Sequence, residues 1–306
     1  MTDASTPGRG ASSHLTAAGA EPRHWGGFRL DRPLIMGILN VTPDSFSDGG
    51  RRTDARDAIS AGLALAADGA DIIDVGGEST RPGAAAVSPE QEQDRVVPVV
   101  RALAAAGHCV SVDTRNASTM RAALLAGARI INDVSALAHD PLAAAVVAEF
   151  ACPVVLMHMR GTPATMNAEA KYQDVVAEVR AETAQRVEAA IRAGIRAEQI
   201  AIDPGIGFAK LAPHSMAVLR GLPAFISLGY PVLIGVSRKS FIGAASGEPV
   251  ADRRLGGSLA AGLFAAMHGV SILRVHDVRE TVQAIRVWQL LFGCGTVPLP
   301  QYLGLH

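Results

Sequence analysis

Short apolar runs alternate along the chain with Ala-rich stretches that have helical spacing. Eight apolar runs occur, at Leu34–Leu39, Asp71–Val75, Cys109–Val112, Arg129–Ile131, Val154–Met157, Gln199–Ile202, Pro231–Val236 and Ser271–Val275. The stretches between them include Ala55–Ala67, Glu90–Ala106, Ala117–Ala126, Pro141–Phe150, Tyr172–Ala193 and Leu255–Met267. This alternation predicts parallel strands joined by crossover helices. Eight units predict an α/β fold of the (β/α)8 TIM-barrel type, with the active site at the C-terminal ends of the strands.

Polar or ionisable residues lie at or just after the end of all eight apolar runs. In chain order they are Asn40, Asp74 with Glu78, Asp113, Asn132, His158, Asp203, Ser237–Lys239, and Arg274 with His276. In a barrel of this type the strand ends and the loops that follow them carry the functional groups. The sequence therefore predicts a functional site at that rim.

Length and composition fit one barrel domain. The chain has 306 residues, of which 49% are hydrophobic and only 4% aromatic, and a (β/α)8 barrel needs about 250 residues. We expect a disordered tail over residues 1–27, a single barrel domain over residues 28–295 and a C-terminal tail over residues 296–306. No repeat or shift in composition indicates a second domain.

Charge, hydropathy and cysteine spacing argue against several other classes of protein. With 28 basic and 29 acidic residues the net charge is -1, which gives no reason to expect a nucleic-acid or membrane partner. No apolar run approaches the roughly 18 residues of a membrane span, and residues 1–27 lack the apolar core of a signal peptide. We therefore expect a cytoplasmic enzyme. Three widely separated cysteines indicate neither a metal site nor a disulfide framework.

Basic residues in the last two units favour an anion site. Arg274 and His276 stand two apart in the last strand and so face the same side. The segment Ser237–Ser240, after the seventh run, places hydroxyls and two cations at a predicted helix start. Loops after strands seven and eight are where these barrels bind phosphate. The alternatives are a structural ion pair of Arg274 with a nearby Asp, and a plain Ser N-cap with solvated Arg and Lys.

Two carboxylates and an amide, those of Asp113, Asn132 and Asp203, end the third, fourth and sixth runs. Together they would suit a planar heterocycle with an N–H-rich edge, such as a 2-amino-4-oxopyrimidine ring. Taken singly, Asp113 could cap the following helix and Asp203 could be a turn residue. The segment Asp203–Lys210 lacks the third glycine of a dinucleotide fingerprint, which argues against NAD. His158 could be a base or a satisfied core histidine.

Eight segments of the chain, in the same order and spacing, resemble the motifs of the dihydropteroate synthase family. They are Asn40–Gly50, Asp74–Gly83, Ser111–Thr114, Ile131–Ser135, Leu156–Met159, Asp203–Phe208, Gly235–Gly243 and Leu273–Asp277. The resemblance covers the chain from about Leu34 to Leu291. One departure is Ala209, where many family members have Gly.

The resemblance implies a transferase of folate biosynthesis. Such an enzyme joins (7,8-dihydropterin-6-yl)methyl diphosphate to 4-aminobenzoate and releases pyrophosphate and 7,8-dihydropteroate. The resemblance also implies small-molecule partners only, a homodimer, and Mg²⁺ as cofactor with Asn40 as its protein ligand.

The resemblance also assigns roles to single residues. The implied catalytic residues are Asp48, Arg81, Asp113 and Lys239. The pterin would be held by Asp113, Asn132, Asp203 and Lys239, and Met157 would be a further substrate-binding residue. The diphosphate would be held by Arg274 and His276, with Asn132 nearby. The aminobenzoate pocket would consist of Thr80, Arg81, Pro82, Phe208 and Ser240.

Three other functions share part of this pattern. A methyltetrahydrofolate-type pterin-binding methyltransferase would share the pterin-facing acids, but it has no reason to carry Arg274, His276 and the Ser237–Ser240 turn. A sugar-phosphate aldolase or isomerase needs a Schiff-base Lys within a strand or a Glu/His acid–base pair, and neither is clear. A non-catalytic pterin-binding paralogue is disfavoured by the intact segments Asp44–Gly50 and Glu78–Gly83.

Overall fold

The computed structural model describes residues 23–42, 51–79 and 87–292, with only the backbone of residues 51–54. This part of the chain begins with an antiparallel hairpin, β1 (His24–Trp25) and β2 (Phe28–Arg29). Eight parallel strands follow: β3 (Leu34–Asn40), β4 (Ile72–Gly76), β5 (Val110–Asp113), β6 (Ile130–Asp133), β7 (Val154–Met157), β8 (Ile200–Asp203), β9 (Leu233–Ile234) and β10 (Ile272–Val275). They form a nearly closed barrel, so the predicted (β/α)8 fold is confirmed.

The strands neighbour one another in chain order around the barrel. Each strand from β3 to β7 pairs with its successor, and β10 pairs with both β3 and β9. The remaining seam is joined by a parallel bridge between Ile202 and Val232. There the Ile202 N–H also donates to the Pro231 carbonyl oxygen at 2.9 Å. This order brings the C-terminal ends of all eight strands to one mouth.

Helices cover the outside of the barrel. They are α1 (Arg51–Ala67), α2 (Pro89–Ala105), α3 (Ala117–Leu125), α4 (Ala143–Phe150), α5 (Val175–Arg192), α6 (Ala212–Arg220), α7 (Leu222–Ile226), α8 (Ser240–Ser246), α9 (Leu255–Met267) and α10 (Val278–Phe292). Outward-facing strand residues such as Val75 and Val112 pack with helix residues such as Ala58 and Leu103. Burial on both faces explains why the strands read as almost continuous apolar runs. None of the helices described has both the length and the apolar character that a membrane span requires.

The hairpin closes the end of the barrel opposite the mouth. The Trp25 side chain is 2% exposed and packs with the interior layer that includes Leu34, Ile72 and Ile130. Its indole N–H donates to the carbonyl oxygen of Gln199, just before β8, at 2.9 Å. The prediction of a disordered tail is therefore wrong for His24–Gly27, because burial of Trp25 orders this stretch. The other proposed domain limits remain predictions.

Most predicted strands match the observed ones to within one or two residues. The largest difference is at Pro231–Val236, of which only Leu233–Ile234 forms a strand, at the loosely joined seam. Four strands include the polar residue predicted to follow them, namely Asn40, Asp113, Asn132 and Asp203. These residues therefore keep the backbone pairing of the barrel while their side chains reach its rim.

Candidate active site at the barrel mouth

The strand ends bring predicted site residues together. Asp113, at the end of β5, pairs in the ladder with Asn132 of β6. Met157, at the end of β7, pairs with Asp203, at the end of β8. Because paired residues on parallel strands face the same side of the sheet, each pair presents its side chains together. Asn132, Met157 and Asp203 are buried, and Asp113 is half-buried.

Arg274 of β10 reaches across the mouth to two carboxylates. Its Nε donates to Asp74 Oδ2 at 2.6 Å and its Nη2 donates to Asp113 Oδ2 at 2.7 Å. The ion pair considered as an alternative for Arg274 is therefore present. The reading of Asp113 as a helix cap is wrong, because Asn116 occupies the N-cap position of α3.

Asp74 holds two predicted site residues at once. Besides Arg274, it accepts a hydrogen bond from Asn132 Nδ2 at 3.0 Å, again through Oδ2. The residue is fully buried, and its Oδ1 has no hydrogen-bond partner among the described residues. From the sequence we predicted Asp74 near the end of a strand but assigned it no role, because its hydrogen-bond partners lie 58 and 200 residues away along the chain.

Burial of the acids at the mouth alters their protonation. It raises the pKa of Asp113 to about 7, against the opposing charge of Arg274. Burial also raises the pKa of Asp203, while the Gly205 N–H and the charges of Lys239 and Lys210 act to lower it. The mouth therefore holds acids whose ionised forms require nearby cations or N–H donors.

Lys239 lies between the acids and an aromatic ring. It occupies the N-cap position of α8, and its Nζ lies 4.1 Å from the centroid of the Phe208 ring. Burial, followed by the charge of Arg274, lowers the pKa of Lys239 to about 8. Ser240 is the first residue of α8, so the plain Ser N-cap is wrong. Arg238 is not simply solvated either, since it pairs with Asp252 and Asp277.

His276 follows β10 and meets a hydroxyl from the preceding unit. Its Nδ1 lies 3.0 Å from Ser237 Oγ, and its backbone N–H donates to the same oxygen at 3.2 Å. Burial, followed by the charges of Arg238 and Arg274, lowers the pKa of His276 to about 4. A histidine in this state is neutral near pH 7 and can act as a hydrogen-bond donor through one ring nitrogen.

The loop after β8 combines a turn with the predicted binding residues. Asp203 Oδ1 accepts the Gly205 N–H at 2.7 Å, so its alternative role in the turn is present. A Cβ at Gly205, whose φ is +70°, would lie 2.0 Å from the His158 carbonyl oxygen, which excludes any side chain there. Ala209 is fully buried with a φ of 47°, a left-handed conformation that suits Gly better.

His158 is a satisfied buried histidine. Its Nε2 lies 2.9 Å from Glu182 Oε2 on α5, and its Nδ1 lies 2.9 Å from Lys210 Nζ. Burial lowers the pKa of His158. A role of His158 as a base is therefore not supported. Its buried partner is Lys210, to which the sequence analysis assigned no role.

The remaining predicted residues lie at the rim or outside the described ranges. Asn40 is exposed at the end of β3. Asp48, Thr80, Arg81 and Pro82 lie outside the described residues. Within the described ranges, no group of three or more His, Cys, Asp or Glu side chains could hold a metal ion by itself.

Comparison with known proteins identifies relatives of the whole barrel. The family model "Pterin binding enzyme" matches residues 36–276. The dihydropteroate synthase of Mycobacterium leprae is 49% identical over 259 residues, covering 83% of this chain and 91% of that protein. The match in Escherichia coli strain K12, also a dihydropteroate synthase, is 48% identical over 259 residues and covers 84% of this chain and 91% of that protein.

A solved structure is similar to this chain in both sequence and fold. It is dihydropteroate synthase from Xanthomonas albilineans with 4-aminobenzoic acid, with a TM-score of 0.82 and 49% identity. The match covers 89% of this chain and 96% of that chain. The same enzyme in complex with 7,8-dihydropteroate has a TM-score of 0.80 and 47% identity, covering 89% and 97% of the two chains.

Proposed function

The chain belongs to the dihydropteroate synthases of the pterin-binding enzyme family, and from this premise we propose how its described residues carry out the reaction. The enzyme joins (7,8-dihydropterin-6-yl)methyl diphosphate to 4-aminobenzoate and releases pyrophosphate and 7,8-dihydropteroate. The observation that best supports the residue roles proposed below is the meeting of two acids, Asp113 and Asp203, with two cations, Lys239 and Arg274, at one mouth.

We propose that the pterin ring lies against the acids at the mouth. Carboxylates accept two parallel N–H bonds from a 2-amino-4-oxopyrimidine edge, which offsets the cost of burying them. The Oδ1 atom of Asp203 accepts the Gly205 N–H at 2.7 Å, so the pterin edge would donate to this oxygen as well or to Oδ2 instead. Asn132, Lys239 and Asp113 would complete the polar contacts, and Met157 would pack against the ring.

The diphosphate would be held by Arg274 and His276. In the described part of the chain Arg274 uses Nε and Nη2 for its carboxylate partners, and Nη1 has no such partner. This nitrogen can donate to a phosphate oxygen without breaking either ion pair. His276 has Nδ1 beside Ser237, and its Nε2 is the other ring nitrogen available to an anion.

We propose the following balance for the chemical step. The amine nitrogen of 4-aminobenzoate forms a bond to the methylene carbon of the pterin as the C–O bond to diphosphate breaks. The bonding electrons leave with the diphosphate, and the nitrogen loses one proton. Arg274, His276 and Lys239 would stabilise the leaving anion, and ionised Asp113 would stabilise positive charge on the pterin.

We propose Mg²⁺ as a cofactor that enters with the diphosphate. A single exposed amide at Asn40, with no acidic or histidine cluster in the described ranges, suits an ion held mainly by substrate oxygens and water. When bound, the ion would neutralise part of the charge on the leaving group.

The aminobenzoate would lie against Phe208 and Ser240, near the cation of Lys239. The other residues proposed for this pocket, Thr80, Arg81 and Pro82, rest on the family resemblance alone, as do the catalytic roles of Asp48 and Arg81. The cytoplasmic location and the absence of nucleic-acid or membrane partners also remain predictions.

A pyrophosphate-release assay tests the activity, with each substrate omitted in turn. Release should require both substrates, and release from the pterin diphosphate alone would indicate hydrolysis instead. Asp203→Asn tests the site, because an amide repels one of the two ring donors. It should weaken pterin binding by about 1.5–3 kcal/mol and pyrophosphate binding much less, whereas the exposed control Asp68→Asn should change neither.

We also propose that the enzyme forms a homodimer through α9 and α10. These neighbouring helices expose several large apolar side chains: Phe264, Met267, Val287, Leu290 and Leu291. Large apolar side chains exposed on neighbouring helices are typical of subunit interfaces. Leu291→Glu should convert the dimer to a monomer in light scattering, whereas Leu125→Glu, equally exposed on α3, should not.

A further inference from the structure

A row of hydrogen-bonded polar groups runs from α5 into the loop after β8. Glu182 is on α5, His158 follows β7, and Lys210 lies in the loop between β8 and α6. Both contacts of the histidine ring measure 2.9 Å. His158 is 4% exposed and Lys210 is 5% exposed, whereas the Glu182 side chain is 35% exposed. The row therefore connects a surface carboxylate with a buried amine.

The chemistry of Glu182 and Lys210, at the two ends of this row, determines which atom donates in each hydrogen bond. An ionised carboxylate only accepts, so His158 Nε2 must carry the hydrogen that Glu182 receives. The hydrogen bond from His158 is the main reason that the pKa of Glu182 falls to about 2, while burial lowers the pKa of His158 itself. A neutral His158 with its hydrogen on Nε2 offers Nδ1 as an acceptor, and Lys210 Nζ donates to it.

Lys210 uses its other hydrogens to hold the backbone of the same loop. Its Nζ donates to the Phe208 carbonyl oxygen at 3.0 Å and lies 3.5 Å from the His158 carbonyl oxygen. Gly205 approaches that second carbonyl so closely that a Cβ would meet it at 2.0 Å. Burial lowers the pKa of Lys210 to about 7, yet the ammonium and the amine can both donate. The loop is thus attached to the end of β7 through one side chain.

We propose that Lys210, which His158 and Glu182 hold in place by hydrogen bonds, is a positioning residue for the second substrate, 4-aminobenzoate. It would fix the Phe208 carbonyl and thereby the Phe208 ring, which also faces Lys239 at 4.1 Å. The residue makes no contact with reacting atoms and acts only through Phe208. The inference rests on the proposed placement of 4-aminobenzoate against that ring.

Lys210→Met tests the inference, since Met keeps much of the apolar stem and removes every donor. The KM for 4-aminobenzoate should rise about tenfold or more, as expected for loss of a buried hydrogen bond to a carbonyl. The KM for the pterin diphosphate should change less than about threefold. Lys171→Met, at an exposed lysine, should match the wild type. An equal rise in both KM values, or no rise in either, would overturn the proposal.

Glu182 provides a second test at the partly exposed end of the row, where folding is less at risk. Glu182→Ala should raise the KM for 4-aminobenzoate selectively, and Glu182→Gln, which keeps an acceptor for His158 Nε2, should restore it. Glu178→Ala is the matched control, because Glu178 also pairs with Arg160 but does not contact His158. Failure of rescue by Gln, or the same effect from Glu178→Ala, would contradict the proposal.

A third experiment tests the proposed 4-aminobenzoate site independently of the positioning role of Lys210. Phe208→Ala should raise the KM for 4-aminobenzoate if the substrate lies against the ring. If it does not, the placement of the substrate is wrong and the positioning role of Lys210 is wrong with it. If Phe208→Ala has the effect but Lys210→Met does not, the site stands and only the positioning role is wrong.

Discussion

Arg274 pairs with two carboxylates of the barrel mouth through Nε and Nη2, and we propose that its Nη1 binds the diphosphate of the substrate. Asp74 is fully buried, and its described partners are Arg274 and the Asn132 amide. Burying a guanidinium is costly, and replacing a whole buried ion pair by apolar groups is often neutral. Removing only the cation is different, because it leaves a buried carboxylate without its countercharge.

Arg274→Ala should therefore affect both stability and turnover. We expect a loss of roughly 3 kcal/mol in the free energy of unfolding, because Asp74 and Asp113 lose their common partner. Turnover should fall about 100-fold or more if the residue also stabilises the leaving anion. Urea unfolding and steady-state assays measure the two effects. Arg286→Ala, at an exposed position on α10, is the control. Unchanged stability would mean that the ion pairs contribute little.

The acid and the lysine at the mouth predict the pH dependence of kcat/KM for the pterin diphosphate. Asp113 should act when ionised, so activity should be lost as pH falls through about 7. Lys239 should act when charged, so activity should be lost as pH rises through about 8. Asp113→Asn should abolish the acid limb while lowering the maximum, and Lys239→Arg should move the alkaline limb upward. An acid limb that persists in Asp113→Asn would assign it to another group.

Single residues show what the sequence could and could not predict. The ends of the apolar runs were enough to group Asp113, Asn132 and Asp203 at one rim, because parallel strands end together. It could not reveal that Arg274 pairs with Asp74 and Asp113, since those contacts cross the barrel between residues 200 and 161 positions apart. Only the closed fold brings these side chains together.

The loop after β8 carries a backbone strain that its sequence position alone does not reveal. Ala209 adopts a φ of 47° in a fully buried position, two residues after Gly207, whose φ is 78°. A Cβ crowds the adjacent carbonyl in the left-handed region, at a cost of about 1–2 kcal/mol. Glycine avoids this cost but loses more entropy on folding.

Ala209→Gly should therefore stabilise the enzyme by about 0.5–1 kcal/mol, since relief of the strain exceeds the added entropy cost. Chemical denaturation gives the free energy of unfolding. Ala181→Gly, exposed in the middle of α5, should instead lose about 1 kcal/mol. If both variants are destabilised alike, Ala209 is held in place without significant strain.

Whole elements were predicted where apolar periodicity was strong and missed where tertiary contacts decide. Val154–Met157 and Leu255–Met267 have the observed limits. The seventh strand is shorter than its apolar run, because its neighbour β8 meets it through a single bridge. The hairpin residues His24–Gly27 carry no strand pattern of their own. Trp25 orders them by burial under the barrel, which local sequence cannot show.

Across the whole molecule, charge burial is concentrated at the mouth. The net charge of -1 does not reveal these buried charges, because basic and acidic residues are nearly equal in number. Burial is the main factor that raises the pKa values of Asp113 and Asp203 and lowers those of Lys239 and His276. Each shift means that the folded protein disfavours the charged form. The substrate site is therefore expected to lower stability in exchange for binding strength.

Asp113→Asn tests this relation through the pH dependence of unfolding. The folded-state pKa of Asp113 is about 7 against an ordinary value of 3.8, so the folded protein binds the proton more tightly. The contribution of this residue to stability therefore declines as pH rises from about 4 to 7 and stays low above that. An amide does not titrate. At pH 8 the variant should melt on the order of 5 °C above the wild type, and the gap should close near pH 4. The neighbouring Asp133, whose pKa burial raises to about 6, is common to both proteins and cancels. A variant that melts lower than the wild type at pH 8 would show that the hydrogen bond from Arg274 outweighs the cost of burying the carboxylate.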